Sequence, residues 1–489
     1  MNQAPVQIQF ALISHTNNGK TTLARTLVGV DVGEVRDAAH VTTLAESHPL
    51  LTSDAGDTLH LWDTPGFGDS VRLLKRLAMS GNPIGWFLRE VIDRYGDKPF
   101  WLSQQALRTA KEAADVVLYL VNSSENPDDA GYLPAEMKIL EWLGKPVVVL
   151  LNQLGPPQPA AAEQAEQARW KRHLDRYPVV REVLALDAFA RCWVHERVFY
   201  EAVGKLVDES KRAGYARLFA TWEANNLARF HAAMRLVSSQ LAAAAQDRQA
   251  IEEEEKSLAR SAMKAVGLAK SDRQRQEKAM AQLVERLNIS INAATAQLLK
   301  LHQLDPAAAA KINARVRENF AVRAPVDKAQ AGLLGAVVSG AATGLSADLM
   351  AGGLTFGAGA ILGGIVGALT MAGVAWGFNT TTDRSQTTMQ FADEFLQSLL
   401  VTSVLRYLAV AHFGRGRGNF VESEAPPFWQ AEVERAAAKL MAGGAPWQAL
   451  RDEAPGAASA RLDSAITAIA SDTLAALYPG SLPLSHQPM

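Results

Sequence analysis

Apolar residues fall into short runs through the first two hundred positions. Residues 6–14 (VQIQFALIS) read as a buried strand that runs into a glycine-containing turn and then a helix from Thr21 to Leu27. Further apolar runs at Leu59–Trp62, Val116–Val121, Val147–Leu151 and Val183–Leu186 read as strands, and Gln104–Ala114 reads as a helix before the third of these. Short apolar strands alternating with helices predict an α/β domain over residues 1–200, a mostly parallel sheet with helices on both faces. The distance from Gly66 to Asp115 is long for one crossover, so residues 70–102 read as an inserted helical element.

The pattern changes after about residue 195. Residues 201–328 are rich in Ala, Glu, Gln, Lys and Arg and predict a helical bundle or stalk. Met280, Val284, Leu287, Ile291, Ala294, Leu298 and Leu301 form a heptad seam. Such a seam serves either one helix of an intramolecular bundle or self-association of the helical region. Residues 329–378 are rich in Gly and Ala, and Asp348 is the sole ionisable residue from Gln330 to Phe378. Sixteen largely apolar residues precede it and thirty follow, against about 20 for a spanning helix. Glycines recur every four residues at 359, 363 and 367, a spacing that lets helix backbones approach closely. The segment predicts a hydrophobic helical hairpin, either inserted in membrane lipid or buried in a soluble bundle. Residues 379–475 predict C-terminal helices, with an amphipathic stretch at 384–412, and 476–489 predict a flexible tail. The second half as a whole reads as a large all-α domain.

Composition narrows the picture. At 48% hydrophobic, the 489-residue chain can build several cores. A net charge of −2 gives no bulk field toward DNA or RNA, so no nucleic-acid partner is indicated. Cys192 is the only cysteine, which excludes an internal disulfide and a cysteine zinc site and fits a reducing, cytoplasmic setting. The start, MNQAPVQIQF, lacks the pattern of a secretory signal. With the hairpin, the expected location is cytoplasmic and associated with the inner membrane.

The candidate chemistry lies at the strand ends. Ser14-His15-Thr16-Asn17-Asn18-Gly19-Lys20-Thr21 approaches the phosphate-loop pattern G-x-x-x-x-G-K-[ST], with Ser14 in place of the first glycine. Gly19 lets backbone N–H groups turn toward phosphate oxygens, the helix start beyond it (Thr22 included) adds partial positive charge, Lys20 reaches the β- and γ-phosphates, and Thr21 offers a hydroxyl to Mg²⁺. Asp63-Thr64-Pro65-Gly66 ends the next strand, with Asp63 toward Mg²⁺ and the Gly66 N–H toward the γ-phosphate. Between them, Thr42 and Thr43 occupy the place of a switch threonine that closes on Mg²⁺.

These motifs resemble the translation-factor-related class of P-loop GTPases over about residues 6–190. DTPGFGD (Asp63–Asp69) is similar to septins, and Asn17 matches an asparagine of the bacterial tRNA-modification GTPases. The whole chain resembles a family of bacterial GTPases with a partly hydrophobic helical C-terminal half. The resemblance implies GTP and GDP as nucleotides, Mg²⁺ as cofactor and K⁺ as a further cation at Asn17. It also locates departures. Where [NT]-K-x-D should read guanine, the chain has Asn152-Gln153-Leu154-Gly155, and Asp187 is the candidate replacement carboxylate beside a helix-capping reading. Phe67 stands where many GTPases place a water-orienting glutamine, so intrinsic hydrolysis is expected to be slow, with His15, read as a free imidazole in the loop, as a candidate to act on water. The expected protein is a slowly hydrolysing GTP switch at a membrane. The rivals are a soluble switch with a protein or ribosomal partner and an ATP-specific P-loop protein.

Overall fold

The computed structural model describes residues 4–16, 18–28, 46–67, 69–79, 92–154, 158–186, 192–251, 268–304, 378–383, 386–412, 426–442 and 446–481. They divide into two compact units: Met1–Ala228 with Ala411–Glu424 and Leu477–Met489, and Arg229–Val410 with Ala425–Ala476.

The first unit is built on a six-stranded sheet. Its strands are β1 (Gln7–Ser14), β2 (Glu46–Thr52), β3 (Thr58–Asp63), β4 (Val116–Asn122), β5 (Val147–Asn152) and β6 (Val180–Ala185), in the order β2-β3-β1-β4-β5-β6. Only β2 runs antiparallel, paired with β3 at the sheet edge. The expectation of a mostly parallel sheet holds, and β2 is an addition to it. Its sequence, ESHPLLT, lacks alternation and carries a proline, which an edge strand tolerates. Every residue of β5 is buried, as is β4 up to Asn122, because helices cover both faces.

One face is covered by α2 (Ser70–Ala78), α3 (Lys98–Ala113), α4 (Leu133–Leu143) and α5 (Ala160–Leu174). Leu73, Leu107, Leu133, Met137, Leu140 and Trp170 pack there on Ile13, Val117, Tyr119 and Val149. Asp69 caps α2 by accepting from the Arg72 N–H at 2.9 Å, and Asp97 caps α3. Asp93 is wholly buried between them, bonded by Arg76, Arg72 and the Gln104 amide. Asp93 and Asp97 are thus tied to Arg72 and Arg76 of α2; residues 80–91, the middle of the stretch read as an insertion, lie outside the described residues. On the other face, Phe10 meets Phe199 of α6 (Trp193–Gly204) and Tyr215 of α7 (Glu209–Gln246).

The start of α7 is fixed to the N-terminal ends of the strands. Arg217 forms a two-pronged pair with the buried Asp57 at 2.7 and 2.8 Å, and Asp57 also accepts from the Val6 N–H and the Ser53 hydroxyl. Lys211 pairs with Asp115, which accepts from the Gln9 N–H.

The second unit is mainly helical: the later part of α7, α8 (Leu268–Leu301), α9 (Asp393–Ala411), α10 (Pro427–Met441), α11 (Trp447–Asp452) and α12 (Pro455–Leu477). It is not all-α. β7 (Arg248–Ala250), β8 (Phe378–Asp383) and β9 (Gln386–Phe391) form an antiparallel sheet, so the helix expected from residue 384 starts only at Asp393. Val284, Leu287, Ile291, Ala294 and Leu298 of the heptad seam are all buried. That burial fits the seam as one helix of an intramolecular bundle. Among the described residues, α9 alone is long and apolar enough to cross a membrane by length and composition, and most of it is buried in the unit. The expected hairpin at 329–378 lies outside the described residues, apart from Phe378 in β8. The final helix runs to Leu477, and residues 482–489 of the expected tail lie outside the described residues.

Candidate functional site

β1 ends at Ser14 and α1 (Lys20–Val28) begins six residues later, so the loop between them opens at the C-terminal edge of the sheet. That edge is where parallel α/β sheets place ligands. Ser14 is fully buried at the end of β1, and Thr22 is buried in the first turn of α1. Gly19 has φ +79°, and a Cβ there would stand 2.6 Å from the Asn152 side-chain nitrogen. Glycine is required on both counts. Its neighbour Lys20 is buried, and burial pushes its pKa below the usual lysine range, although Asp63 pulls the other way. A buried ammonium that desolvation disfavours is ready to gain from an anionic ligand.

The second motif lies beside the first. β1 and β3 pair in parallel with Leu12 against Asp63. The Thr21 hydroxyl meets Asp63 Oδ2 at 2.9 Å. A hydroxyl and a carboxylate converging at a helix start are hard oxygen donors of the kind Mg²⁺ takes. Thr64 donates to the Leu12 carbonyl, the Phe67 N–H donates to the Ser14 carbonyl, and the Thr16 hydroxyl donates to the Phe67 carbonyl at 2.6 Å. A Cβ on Gly66 would approach the Thr16 Cα to 3.2 Å, so the two loops touch through backbone. Phe67 is buried in the core and cannot face an attacking water.

The third motif closes on the first. Asn152, fully buried at the end of β5, donates from its amide to the Asn18 carbonyl at 2.8 Å, and Asn18 donates to the Leu120 carbonyl. Gln153 follows with φ +59°, a left-handed position uncommon for a side-chain-bearing residue. The structure therefore brings together Ser14, His15, Thr16, Asn18, Gly19, Lys20, Thr21, Thr22, Asp63, Gly66, Asn152 and Gln153. Asn17, Thr42, Thr43 and Asp187 lie outside the described residues.

His15 differs from expectation. Its imidazole is engaged: Nδ1 lies 2.6 Å from Glu136 Oε1, and the ring stacks on Tyr132 at 4.3 Å. The Glu136 carboxylate holds the His15 pKa above its ordinary value. Glu136, Tyr119 and Tyr132 were missed from sequence. The available signal was a glutamate on the apolar face of α4, three residues after Leu133 and four before Leu140, opposite a tyrosine inside the apolar run Val116–Val121.

Residues 173–468 match the profile of a family described as a domain of unknown function (DUF3482). The chain belongs to that family. Ahead of the domain, residues 9–153 match a second profile, the 50S ribosome-binding GTPases, so this DUF3482 protein carries a GTPase-type nucleotide domain in its first unit. That domain type supports GTP binding by the chain. No curated protein matches the chain. Solved structures similar to it include Era from Aquifex aeolicus bound to GDP and AlF4⁻, at 20% identity, 42% of this chain, 58% of that chain and a TM-score of 0.31. Era in complex with MgGDPNP and nucleotides 1506–1542 of 16S ribosomal RNA has the same identity and coverage, at a TM-score of 0.30. A probable GTP-binding protein EngB matches at 15% identity over 44% of this chain and 99% of its own length, with a TM-score of 0.24. The DUF3482 chain thus spans a little over half the length of the Era chains.

Proposed function

We propose that this protein is a Mg²⁺-dependent GTP switch with slow intrinsic hydrolysis, whose helical half carries the nucleotide signal to the cytoplasmic face of a membrane. The observation that supports it most is the convergence of Lys20, Thr21, Asp63 and Asn152 on one loop, from three strand ends far apart in sequence. Lys20 would bind the β- and γ-phosphates, and loop N–H groups around Gly19 would orient them. Thr21 and Asp63 would hold Mg²⁺, with Thr42 or Thr43 joining in the triphosphate state. When bound, the ion neutralises charge on the phosphate oxygens. With Phe67 in the core, water must be positioned by another group, and K⁺ held with Asn17 is the candidate we favour. Equal turnover in K⁺ and Na⁺ buffers would remove that part of the reading.

Guanine preference is expected but weakened. Asn152 is kept, while Gly155 offers no carboxylate to the base. The lost hydrogen bonds to a charged acceptor are worth roughly 1.5–3 kcal/mol each. Competition between GTP and ATP for the full-length protein measures this, and tighter ATP binding would overturn the GTPase assignment. The membrane reading rests on the composition of residues 330–378. A second reading, a ribosomal partner, is favoured by the description of the family matched over residues 9–153. Flotation with lipid vesicles against co-sedimentation with ribosomes, in GDP and in a GTP analogue, separates the two.

A further inference from the structure

Glu136 has no exposed surface and sits on α4 among Leu133, Met137 and Leu140. A carboxylate in such a place is costly unless its oxygens are bonded. Both are: Oε1 meets His15 Nδ1 at 2.6 Å, and Oε2 accepts the Tyr119 hydroxyl at 2.5 Å. Tyr132, one turn before Glu136, touches the same loop, its ring stacked on His15. Its hydroxyl proton goes to Glu125 Oε2 at 2.9 Å. The loop so held begins with Ser14 instead of glycine. Its backbone course is fixed by side-chain bonds at His15, Thr16 and Asn18.

We propose that Glu136 is a positioning residue for nucleotide binding: acting through His15, and aided by Tyr119 and Tyr132, it holds the phosphate-loop backbone in the orientation that receives the β-phosphate. The proposal rests on the nucleotide-binding reading above. Phosphate recognition by oriented N–H groups depends on their alignment, and displacement of a binding group by about 1 Å is enough to weaken it severely. Because GDP and GTP share the β-phosphate, losing the brace must weaken both alike.

The test is calorimetric titration of GDP and GTP, with Mg²⁺, into full-length protein and its variants. Glu136→Leu should lower affinity for both nucleotides about tenfold, the worth of one charge-assisted hydrogen bond. Glu136→Gln keeps a bond to each partner and should recover most of that loss. His15→Gln combined with Glu136→Leu should bind no more weakly than His15→Gln alone. Wild-type affinity in Glu136→Leu, or losses that multiply in the double variant, would overturn the proposal. Should Glu136→Leu fail to fold, His15→Gln and Tyr119→Phe replace it, and their losses must likewise fail to multiply. Lys20→Ala separates the two levels. Lost binding there with wild-type affinity in Glu136→Leu defeats the brace alone. Unchanged binding in Lys20→Ala defeats the nucleotide reading and the brace with it.

Discussion

The two ends of the first unit's sheet use the same residue types for opposite purposes. At the N-terminal end, the carboxylates Asp57 and Asp115 are met by Arg217 and Lys211 and by backbone N–H groups. At the C-terminal end, Lys20 is buried at a net cost to its own charge. Saturated charges fix an architecture, here the start of α7 on the sheet. A buried charge that its surroundings disfavour stores free energy that a ligand can release. Buried charge alone therefore does not mark a site; the site is the end where pairing is incomplete without a ligand.

The largest expected effect tests that distinction. Lys20→Met should lower GTP and GDP affinity at least about hundredfold, from two charge-assisted bonds of roughly 1.5–3 kcal/mol each. The nucleotide-free variant should unfold at the same temperature as wild type or above it, because the disfavoured charge is gone. Scanning calorimetry without nucleotide checks this, and a clear drop in midpoint would show Lys20 to be structural.

Asp57→Asn should behave in the opposite way. Breaking a buried pair whose arginine is partly exposed should cost about 2–3 kcal/mol of stability, with nucleotide affinity unchanged. The pH dependence follows. Arg217, then the Ser53 hydroxyl and Val6 N–H, hold the Asp57 pKa far below the ordinary carboxylate value of about 3.9, although burial opposes them. A depressed folded pKa gives stability that is present above about pH 4 and is lost as pH falls toward the folded pKa. The gap in unfolding temperature between wild type and Asp57→Asn should therefore narrow below about pH 4. A gap constant from pH 7 to pH 2 would refute the assignment.

Thr21→Ala should have a smaller effect confined to the ligand end. In Mg²⁺ buffer its GTP affinity should fall about tenfold, one hydrogen-bond or ligand contribution. In EDTA the wild type should fall to meet it. Different affinities in EDTA would mean that the Thr21 hydroxyl acts on nucleotide independently of the ion.

How much of this was legible in the sequence follows from the range of the contacts. The phosphate loop, Asp63 and Asn152 could be placed because each motif is local and ends an apolar strand. His15 was misread because its partner lies 121 residues away, beyond any local pattern. β2 escaped because an edge strand faces fewer packing demands and shows little alternation. The small sheet of the second unit was missed for a related reason. β7 is three residues long and pairs with a strand well over a hundred positions later, and FNTTTD and QTTMQF carry few apolar residues to betray strands. The heptad seam was legible as a buried stripe, but what it is buried against was not.

Gly214→Ala carries the smallest effect and probes the architectural end most finely. Gly214 lies in α7, one turn from Arg217, where alanine is the better helix former by about 1 kcal/mol. Position alone therefore predicts a gain. Packing reverses the sign. A Cβ there would stand 2.0 Å from Val6 Cγ2 and 2.9 Å from Asp57 Oδ1. Both lie below any real carbon contact, so Val6 must rotate or the helix must lift from the sheet. Over-packing of this kind costs about 1–3 kcal/mol, and a lift would also lengthen the Arg217–Asp57 bonds. The net expectation is a loss of about 1 kcal/mol with nucleotide affinity untouched. Paired with Asp57→Asn, the losses should fall short of additive, because a helix already released from Asp57 has room for the methyl group. Full additivity would mean that the methyl acts through Val6 alone, and a gain in stability would mean that α7 does not sit against the sheet as closely as Gly214 requires.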